Sequence, residues 1–224
     1  MQFWGRKQSC NMRKVVIVGS GGHAKVIMDI LSSSKDYELV GCTSADLTLR
    51  EVMGIPVLGD DSILPQLFAE GIKYAFVAIG DNRKREEFSN YVTRAGFELI
   101  NAISLYSYIS YTVKLGKGIA IMPGAVINAC AVIQNNAIIN TGATIDHDCL
   151  IGAGCHIAPG CNIAGNVRIG QGSFFGVGCK VIPKITIGEW SIIGAGAVVV
   201  NDLPGYSLAL GAPAKVVKKL KEEI

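Results

Sequence analysis

A period of six residues runs without interruption through the second half of the chain. From Ile103 to Val199 every sixth position holds a bulky apolar residue, and the position four residues later is small or compact in most repeats. This period is typical of a left-handed parallel β-helix, in which three hexads close one triangular coil. Each coil buries its apolar residues only by stacking on the next. We therefore predict a β-helix over residues 101–203, followed by a C-terminal tail over 204–224.

The same period predicts which residues are neighbours between coils. Residues 18 apart should stack about 4.8 Å apart, as adjacent strands do, which places Gly165 one coil from His147. Four cysteines fall on the small interior position of the hexad: Cys149, Cys155, Cys161 and Cys179. Because free cysteine packs as a small hydrophobe, and the chain has no CxxC pair and an odd total of seven, we interpret these four as core residues.

Before the repeats, strands and helices alternate. An apolar run at 14–18 ends in a glycine turn, and a helical pattern follows. Further elements are expected as strands at 38–42 and 74–79 and as helices at 62–70 and 83–95. This order predicts a parallel, Rossmann-like α/β sheet, which we assign to residues 12–100. The segment 1–11 has no periodicity and precedes a second methionine, so we expect a disordered extension there.

Two turns at the expected carboxyl edge of this sheet are candidate ligand sites. The first consists of Gly19, Ser20, Gly21, Gly22 and His23, and such a turn offers backbone N–H groups to phosphate. The second contains Gly80, Asp81 and Asn82, followed by arginines that either face the crevice or lie on the helix surface. Alternatively, the glycines only allow close approach of helix and strand.

The end of the second predicted strand indicates which nucleotide class could bind. A dinucleotide site requires an acidic residue there to bind ribose, whereas the chain has Thr43 and Ser44, with Asp46 nearby. The sequence therefore favours a sugar nucleotide over NAD as the ligand of this domain, and we predict that residues 12–100 bind it.

The chain contains only three histidines, His23, His147 and His156. His147 is third in its hexad, near a corner of the β-helix, and lies between Asp146 and Asp148. A carboxylate can fix the tautomer of an imidazole and raise its basicity, which suits a general base. The alternative is an exposed histidine in an acidic corner. His156 should lie outside the β-helix core or at its edge.

From Met12 almost to its end, the chain resembles the NeuD/PglD family of sugar acetyltransferases. The resemblance rests on five segments: the glycine turn at 19–23, the turn at 78–82, and residues 139–152, 164–167 and 211–215. It implies an acetyl-CoA-dependent enzyme that acetylates the 4-amino group of a nucleotide-linked 4-amino-4,6-dideoxy sugar. It also implies a homotrimer with active sites between adjacent β-helices.

The resemblance implies roles for individual residues as well. His147 corresponds to the catalytic base and Asp148 to its carboxylate neighbour, although PglD-like members carry glutamate on both sides of this histidine. Asn140 corresponds to a residue that orients the sugar amine, and the glycine turn to the pyrophosphate site. Four residues are expected near acetyl-CoA: His156, Gly165, Ala195 and Lys215. The paired aspartates of PglD at the second strand are missing, which leaves the identity of the nucleotide open. For Lys215 the alternative is a position in a solvated amphipathic tail.

Other functions stay open at this point. The same base and thioester would serve O-acetylation of sialic acid or another sugar hydroxyl. A non-enzymatic alternative is a nucleotide-sensing scaffold. A γ-type carbonic anhydrase needs three histidine zinc ligands, whereas the repeats contain two, so no metal is expected. Without an apolar run of about 18 residues or a signal-type segment, we expect a cytoplasmic protein with no membrane partner. A net charge of +3 with dispersed basic residues does not indicate nucleic acid.

Overall fold

The computed structural model describes residues 12–222, and the segment 1–11 lies outside this range. The N-terminal domain begins with a sheet whose strands are joined by helices, as parallel pairing requires. Its elements are β1 Arg13–Val18, α1 Gly22–Ser32, β2 Tyr37–Thr43, β3 Glu51–Val52, β4 Ile55–Gly59, a 3₁₀ turn Asp61–Ile63, α2 Leu64–Ala69, β5 Tyr74–Val77, α3 Asn82–Arg94 and β6 Glu98–Leu99. None of the helices within residues 12–222 is long and apolar enough to cross a membrane.

The strand order of this sheet is β3-β4-β2-β1-β5-β6, and β3 and β4 are its only antiparallel neighbours among the described residues. The predicted Rossmann-like sheet is confirmed, with an additional hairpin, β3–β4, at one edge. Since β2 and β5 flank β1 on opposite sides, the carboxyl ends of β1 and β5 border a crevice, the usual place for a ligand in such a sheet.

Short strands of the β-helix follow directly. In chain order they are β7 Ala102–Ile103, β8 Tyr108–Ile109, β9 Lys114–Leu115, β10 Ala120–Ile121, β11 Val126–Ile127, β12 Val132–Ile133, β13 Ile138–Ile139, β14 Thr144–Ile145, β15 Leu150–Ile151, β16 His156–Ile157, β17 Asn162–Ile163, β18 Arg168–Ile169, β19 Phe174–Phe175, β20 Lys180–Val181, β21 Thr186–Ile187, β22 Ile192–Ile193, β23 Val198–Val199, β24 Ser207–Leu210 and β25 Lys215–Lys219. The predicted left-handed parallel β-helix is confirmed.

Three sheets form the faces of the prism. Face 1 runs from β7 through β10, β13, β16, β19 and β22 to β24 and β25; face 2 starts at β8 and face 3 at β9. Residues 18 apart pair in register, for example Ile139 with Ile157. The four interior cysteines are at most 1% exposed, and the Cys149 thiol donates to the Ala164 carbonyl oxygen at 3.1 Å. Their interpretation as core residues is confirmed.

Two corners of the prism matter for the site. The His147 corner, residues 128–131, 146–149, 164–167 and 182–185, joins faces 2 and 3 and lies opposite face 1. The docking corner, residues 116–119, 134–137, 152–155, 170–173 and 188–191, joins faces 3 and 1. At the end of the chain, β24 pairs with β22 and β25 with β24. The segment 204–224 therefore adds two strands to face 1.

The N-terminal domain covers the first coils of face 1. Helix α1 packs against β7, and one apolar cluster combines Ile27 and Met28 of α1 with Ala102, Ala120 and Met122 of face 1. This contact makes face 1 the side of the prism on which the crevice of the sheet opens.

Candidate active site

The glycine turn after β1 is held in place by the end of β2. The Gly19 N–H donates to Thr43 Oγ1 at 3.2 Å, and the Ser20 hydroxyl donates to the Ser44 hydroxyl at 2.8 Å. Thr43 and Ser44 are both buried. The residues that replace the ribose-binding acid of dinucleotide sites thus serve as supports for the turn.

The amino end of α1 is open to a ligand. Gly21 is its N-cap, no side chain caps it, and its first turn contains no acidic residue. Gly21 and Gly22 are exposed, and a Cβ on either would meet nothing within 4 Å. Unpaired N–H groups at a helix amino end attract anions, so this turn is suited to a diphosphate.

Arg85 fastens the second turn to the β-helix. The side chain is only 1% exposed. Its five N–H groups donate, at 2.7 to 3.0 Å, to the carbonyl oxygens of Ile79, Gly80, Asn136 and Gly154 and to Asn82 Oδ1. Burial lowers the pKa of Arg85 to about 10, which leaves the guanidinium charged at neutral pH.

Asn82 extends this contact by one coil. Its amide nitrogen donates to the carbonyl oxygens of Gly172 and Ser173, at 3.0 and 3.2 Å. Asn136, Gly154 and Gly172 are 18 residues apart, one in each successive coil of the docking corner. Arg85 and Asn82 therefore fix the height of the N-terminal domain along the prism. Three residues of this turn were expected to bind substrate. Gly80 and Asp81 border the crevice, whereas the Asn82 amide nitrogen is hydrogen-bonded to the β-helix.

His156 on face 1 is a close neighbour of His23, the last residue of the glycine turn. Burial is the main cause that lowers the pKa of both histidines to about 4. For His23 the neighbouring His156 and then Arg85 lower it further, and for His156 the charge of Arg85 does so. Asn140 Nδ2 donates to His156 Nε2 at 3.0 Å. Within residues 12–222, His23 Nε2 is buried without a hydrogen-bond partner. Since buried polar atoms are normally paired, this neutral nitrogen is suited to a ligand.

At the His147 corner, the imidazole carries a carboxylate partner. His147 Nδ1 lies 2.7 Å from Asp148 Oδ2, and both side chains are 52% exposed. Aspartate thus reaches the ring despite being one methylene shorter than glutamate. This hydrogen bond raises the pKa of His147 above its usual value of 6.5. Asp146 accepts from the His147 backbone N–H at 2.7 Å and so fixes the corner.

Gly165 leaves room for the His147 ring. A Cβ on Gly165 would lie 2.5 Å from His147 Nε2, closer than real side chains approach. The ring thus rests on the coil that the 18-residue stacking predicts. With Nδ1 bound to Asp148, Nε2 is the nitrogen that can accept a proton from a substrate.

The expected site residues form two separate groups within one chain. The glycine turn, Asn140 and His156 lie on face 1 or at its edge, whereas His147, Asp148 and Gly165 lie at the opposite corner. The apolar core of the β-helix fills the space between the two groups. Ala195 and Lys215, expected near the coenzyme, are exposed in the last coils.

Sequence reasoning missed two residues near the contact between the N-terminal domain and the β-helix. For Arg85 no sequence signal exists, because its partners in the β-helix are backbone carbonyl groups 51 and 69 residues away. Phe174 packs edge-on against His156, with ring centroids 5.2 Å apart. The stacking register would have found it, since Phe174 pairs with His156 in face 1. Across residues 12–222, no group of three or more His, Cys, Asp or Glu side chains is arranged to hold a metal ion.

Comparison with known proteins decides the family. The PglD N-terminal domain model matches residues 14–92, and the bacterial transferase hexapeptide (six repeats) model matches 130–165 and 166–201. A histidine-to-asparagine variant of perosamine N-acetyltransferase from Caulobacter crescentus, in complex with CoA and GDP-perosamine, is 47% identical. The match covers 92% of this chain and 97% of that chain, with a TM-score of 0.89. The chain belongs to the NeuD/PglD family of sugar acetyltransferases.

A second solved structure agrees with this assignment. The acetyltransferase domain of PglB from Neisseria gonorrhoeae, in complex with acetyl coenzyme A, is 36% identical, covers 92% of this chain and 100% of its own, and has a TM-score of 0.86. The uncharacterized protein L142 of Acanthamoeba polyphaga mimivirus is 34% identical over 104 residues, and the match spans 20% of its length. As a NeuD/PglD-family member, the protein is an acetyltransferase with acetyl-CoA as cosubstrate, as predicted.

Proposed function

We propose that this protein transfers the acetyl group of acetyl-CoA to the 4-amino group of a GDP-linked 4-amino-4,6-dideoxy sugar. The observation that carries the proposal is the 47% identity, over nearly all of both chains, to an N-acetyltransferase solved with CoA and GDP-perosamine. The glycine turn and the His147–Asp148 pair supply a diphosphate site and a base. Likeness to an enzyme of a GDP-linked sugar favours guanosine as the nucleoside that the sequence left open.

The proposed chemistry is direct transfer with His147 as general base. The amine nitrogen attacks the thioester carbonyl carbon, and His147 Nε2 accepts the proton that the nitrogen loses. The tetrahedral intermediate then collapses, the C–S bond breaks, and the CoA sulfur leaves as a thiol with the proton from His147. Asp148 suits this role because it keeps the proton on Nδ1 and stabilises the imidazolium that forms.

Negative charge on the carbonyl oxygen requires a hydrogen-bond donor in the tetrahedral intermediate. We assign the Gly165 N–H to this role, because Gly165 lies next to the His147 ring and its N–H donates no hydrogen bond among residues 12–222. Direct attack of the amine on the thioester requires no acyl-cysteine. Cys149, the cysteine nearest His147 in sequence, is 1% exposed, and burial raises the pKa of its thiol. Cys130, one coil away in the same corner, is exposed, and the proposed reaction assigns it no role.

The active site is proposed to form between chains of a homotrimer. His147 and the glycine turn of one chain face different sides of the prism, so a sugar bound at that turn has to meet the His147 of a neighbouring chain. In cyclic oligomers the same pair of surfaces recurs at every interface. A trimer would therefore hold equivalent sites, each with a turn from one chain and a base from the next.

A substrate panel tests the proposed reaction. The protein is incubated with acetyl-CoA and with GDP-, UDP- or dTDP-linked 4-amino-4,6-dideoxy sugars, and release of the CoA thiol and the mass of the sugar product are followed. The expected result is amide formation, fastest with a GDP-linked sugar, and no acetylation of the matched 4-hydroxy sugar. Preferential acetylation of the hydroxy sugar, or no transfer to any amino sugar, would contradict the proposal.

A further inference from the structure

The thiol of Cys149 is hydrogen-bonded to the peptide group that joins Ala164 to Gly165. Cys149 lies inside the prism at the His147 corner, and its Sγ donates to the Ala164 carbonyl oxygen at 3.1 Å. Within residues 12–222, that oxygen accepts no other hydrogen bond. Because burial raises the pKa of the thiol, the thiol keeps its proton at neutral pH and remains a donor. The carbonyl end of this peptide group is therefore held from the interior of the β-helix.

The same peptide group carries the Gly165 N–H, which we assigned to the carbonyl oxygen of the tetrahedral intermediate. In a planar trans peptide the C=O and N–H bonds point in nearly opposite directions. An Ala164 carbonyl that points inward therefore turns the Gly165 N–H outward. This is the side of the backbone on which the His147 ring lies, since a Cβ on Gly165 would meet that ring.

Other hexads show the same outward direction for the N–H of the third residue. The N–H groups of His147 and Thr141 each donate to the side chain of the preceding residue, Asp146 or Asn140. Both of these side chains are partly exposed. The residue that precedes Gly165 is an alanine, which cannot accept a hydrogen bond through its side chain. The Gly165 N–H thus points outward and is left available to a substrate.

Interior donors of this kind recur in other coils. Equivalent hydrogen bonds of 3.0 to 3.1 Å join Cys155 to the Gly170 carbonyl oxygen, Cys161 to Gly176, Ser173 to Gly188 and Cys179 to Gly194. The contact itself is therefore a general feature of the β-helix. At the His147 corner, the coils on either side of Cys149 have Ala131 and Val167 at this interior position, and neither side chain can donate. The donor of this corner thus lies at the peptide group whose N–H faces His147.

We propose that Cys149 is a positioning residue for acetyl transfer, whose thiol holds the Ala164–Gly165 peptide group so that the Gly165 N–H points at the oxygen of the tetrahedral intermediate. The inference rests on the proposed function and gives a buried side chain a part in the reaction without contact with either substrate. Donors that are oriented in advance stabilise the charge that develops in the transition state. Loss of the thiol should therefore lower kcat and leave the KM values of both substrates nearly unchanged.

Cys149→Ala removes the donor and introduces the residue that the preceding coil already has at this position, Ala131. Steady-state kinetics with acetyl-CoA and the GDP-linked amino sugar gives kcat and both KM values, and thermal unfolding gives the melting temperature. Loss of a whole oxyanion donor costs about 10² to 10³ in kcat. We expect a fall of about tenfold, because the N–H remains but is less well oriented.

Cys149→Ser tests whether the hydrogen bond, and not the sulfur, is required. Ser173 occupies the same interior position in another coil, and its hydroxyl donates to the Gly188 carbonyl oxygen at 3.0 Å. A serine at position 149 can therefore take over the bond to the Ala164 carbonyl oxygen. We expect this variant to retain most of the turnover.

Cys161→Ala is the matched control. Cys161 is also buried and donates to the Gly176 carbonyl oxygen at 3.1 Å, but at the corner that joins faces 1 and 2. Both alanine variants should lose a similar amount of melting temperature, whereas only Cys149→Ala should lose turnover. Full kcat in Cys149→Ala, an equal loss of kcat in both alanine variants, or no recovery in Cys149→Ser would overturn the inference. Failure of the proposed function looks different, because the unaltered protein would then acetylate no GDP-linked amino sugar.

Discussion

Two sides of the same prism carry histidines in opposite states. On the covered side, face 1 and the docking corner, His156 is packed beneath the N-terminal domain and burial lowers its pKa to about 4. On the open side, the His147 corner, His147 is half exposed and Asp148 raises its pKa. Both residues lie in the β-helix, so the difference arises from the burial of His156 and from the carboxylate partner of His147.

This difference separates binding from proton transfer. A general base must titrate near the working pH, which the open side permits and the covered side prevents. The histidines of the covered side are neutral at the working pH. They can form hydrogen bonds with a ligand but do not serve as the proton-transferring base. The predictions below test this division, from the largest expected effect to the smallest.

Replacing the open-side histidine should have the largest effect. His147→Ala is expected to lower kcat by about 10² to 10⁴, the usual contribution of a general base, with little change in melting temperature because the side chain is half exposed. Steady-state kinetics with the GDP-linked amino sugar measures this loss. Nearly full turnover in the variant would contradict the assignment of proton transfer to His147.

Replacing Arg85, which joins the N-terminal domain to the β-helix, should lower the free energy of unfolding. Arg85→Met leaves five acceptor oxygens at the domain contact without their donor, and loss of one partner from a buried charged network costs about 3 to 5 kcal/mol. Urea unfolding measures the change. Lys84→Met, on the exposed surface of the same helix, is the control and should cost little. Equal stability of both variants would show that Arg85 does not hold the domains together.

The two histidines should also differ in their pH dependence. A base works when neutral, so kcat/KM should fall as the pH decreases through the raised pKa of His147, with a midpoint above 6.5. Asp148→Asn removes the carboxylate that raises this pKa, and the midpoint should move to lower pH with a reduced maximum. His156→Asn should not move it, because His156 already titrates near pH 4. If the midpoint did not move in Asp148→Asn, this would contradict the claim that Asp148 raises the pKa of His147.

Adding a single methyl group next to the His147 ring should have the smallest effect on turnover. Gly165→Ala places a Cβ against His147 Nε2, so the ring must tilt, and we expect turnover to fall by about tenfold, as small displacements of catalytic groups can cause. Melting temperature should change little, because the exposed ring can move away. Kinetics and a thermal melt on the same sample separate the two effects, and unaltered kcat would count against the assigned ring position.

Much of this division could be predicted from the sequence because the repeat fixes positions. A period of six predicted the β-helix, the interior cysteines, the exposed corner of His147 and its stacking on Gly165. Spacing alone could not show that Asp148 reaches the imidazole, since that depends on the backbone of the corner. The family resemblance, not the period, implied the reaction.

The covered side was harder to predict, since its contacts join distant segments. Arg85 could equally have been a surface charge, because its acceptors are main-chain carbonyl groups that any sequence supplies. Thr43 and Ser44 indicated what is missing from a dinucleotide site, but not that they support the glycine turn. The β3–β4 hairpin is short and has no clear periodicity, so the sequence did not reveal it.

The central claim is that each active site combines the open side of one chain with the covered side of another. Mixed oligomers of two inactive variants test it directly. His147→Ala lacks the base. Gly22→Asp places a carboxylate at the diphosphate turn, while an acidic residue in the first turn of α1 favours the helix.

Co-expression of the two variants with different affinity tags allows mixed oligomers to be isolated and assayed. In a cyclic trimer that contains both variants, about one third of the sites combine an intact turn with an intact His147, whichever variant is present twice. We predict recovery of about that fraction of normal activity, although each variant alone is inactive. No recovery in confirmed mixed oligomers would show that both elements must come from one chain, and would contradict the shared site.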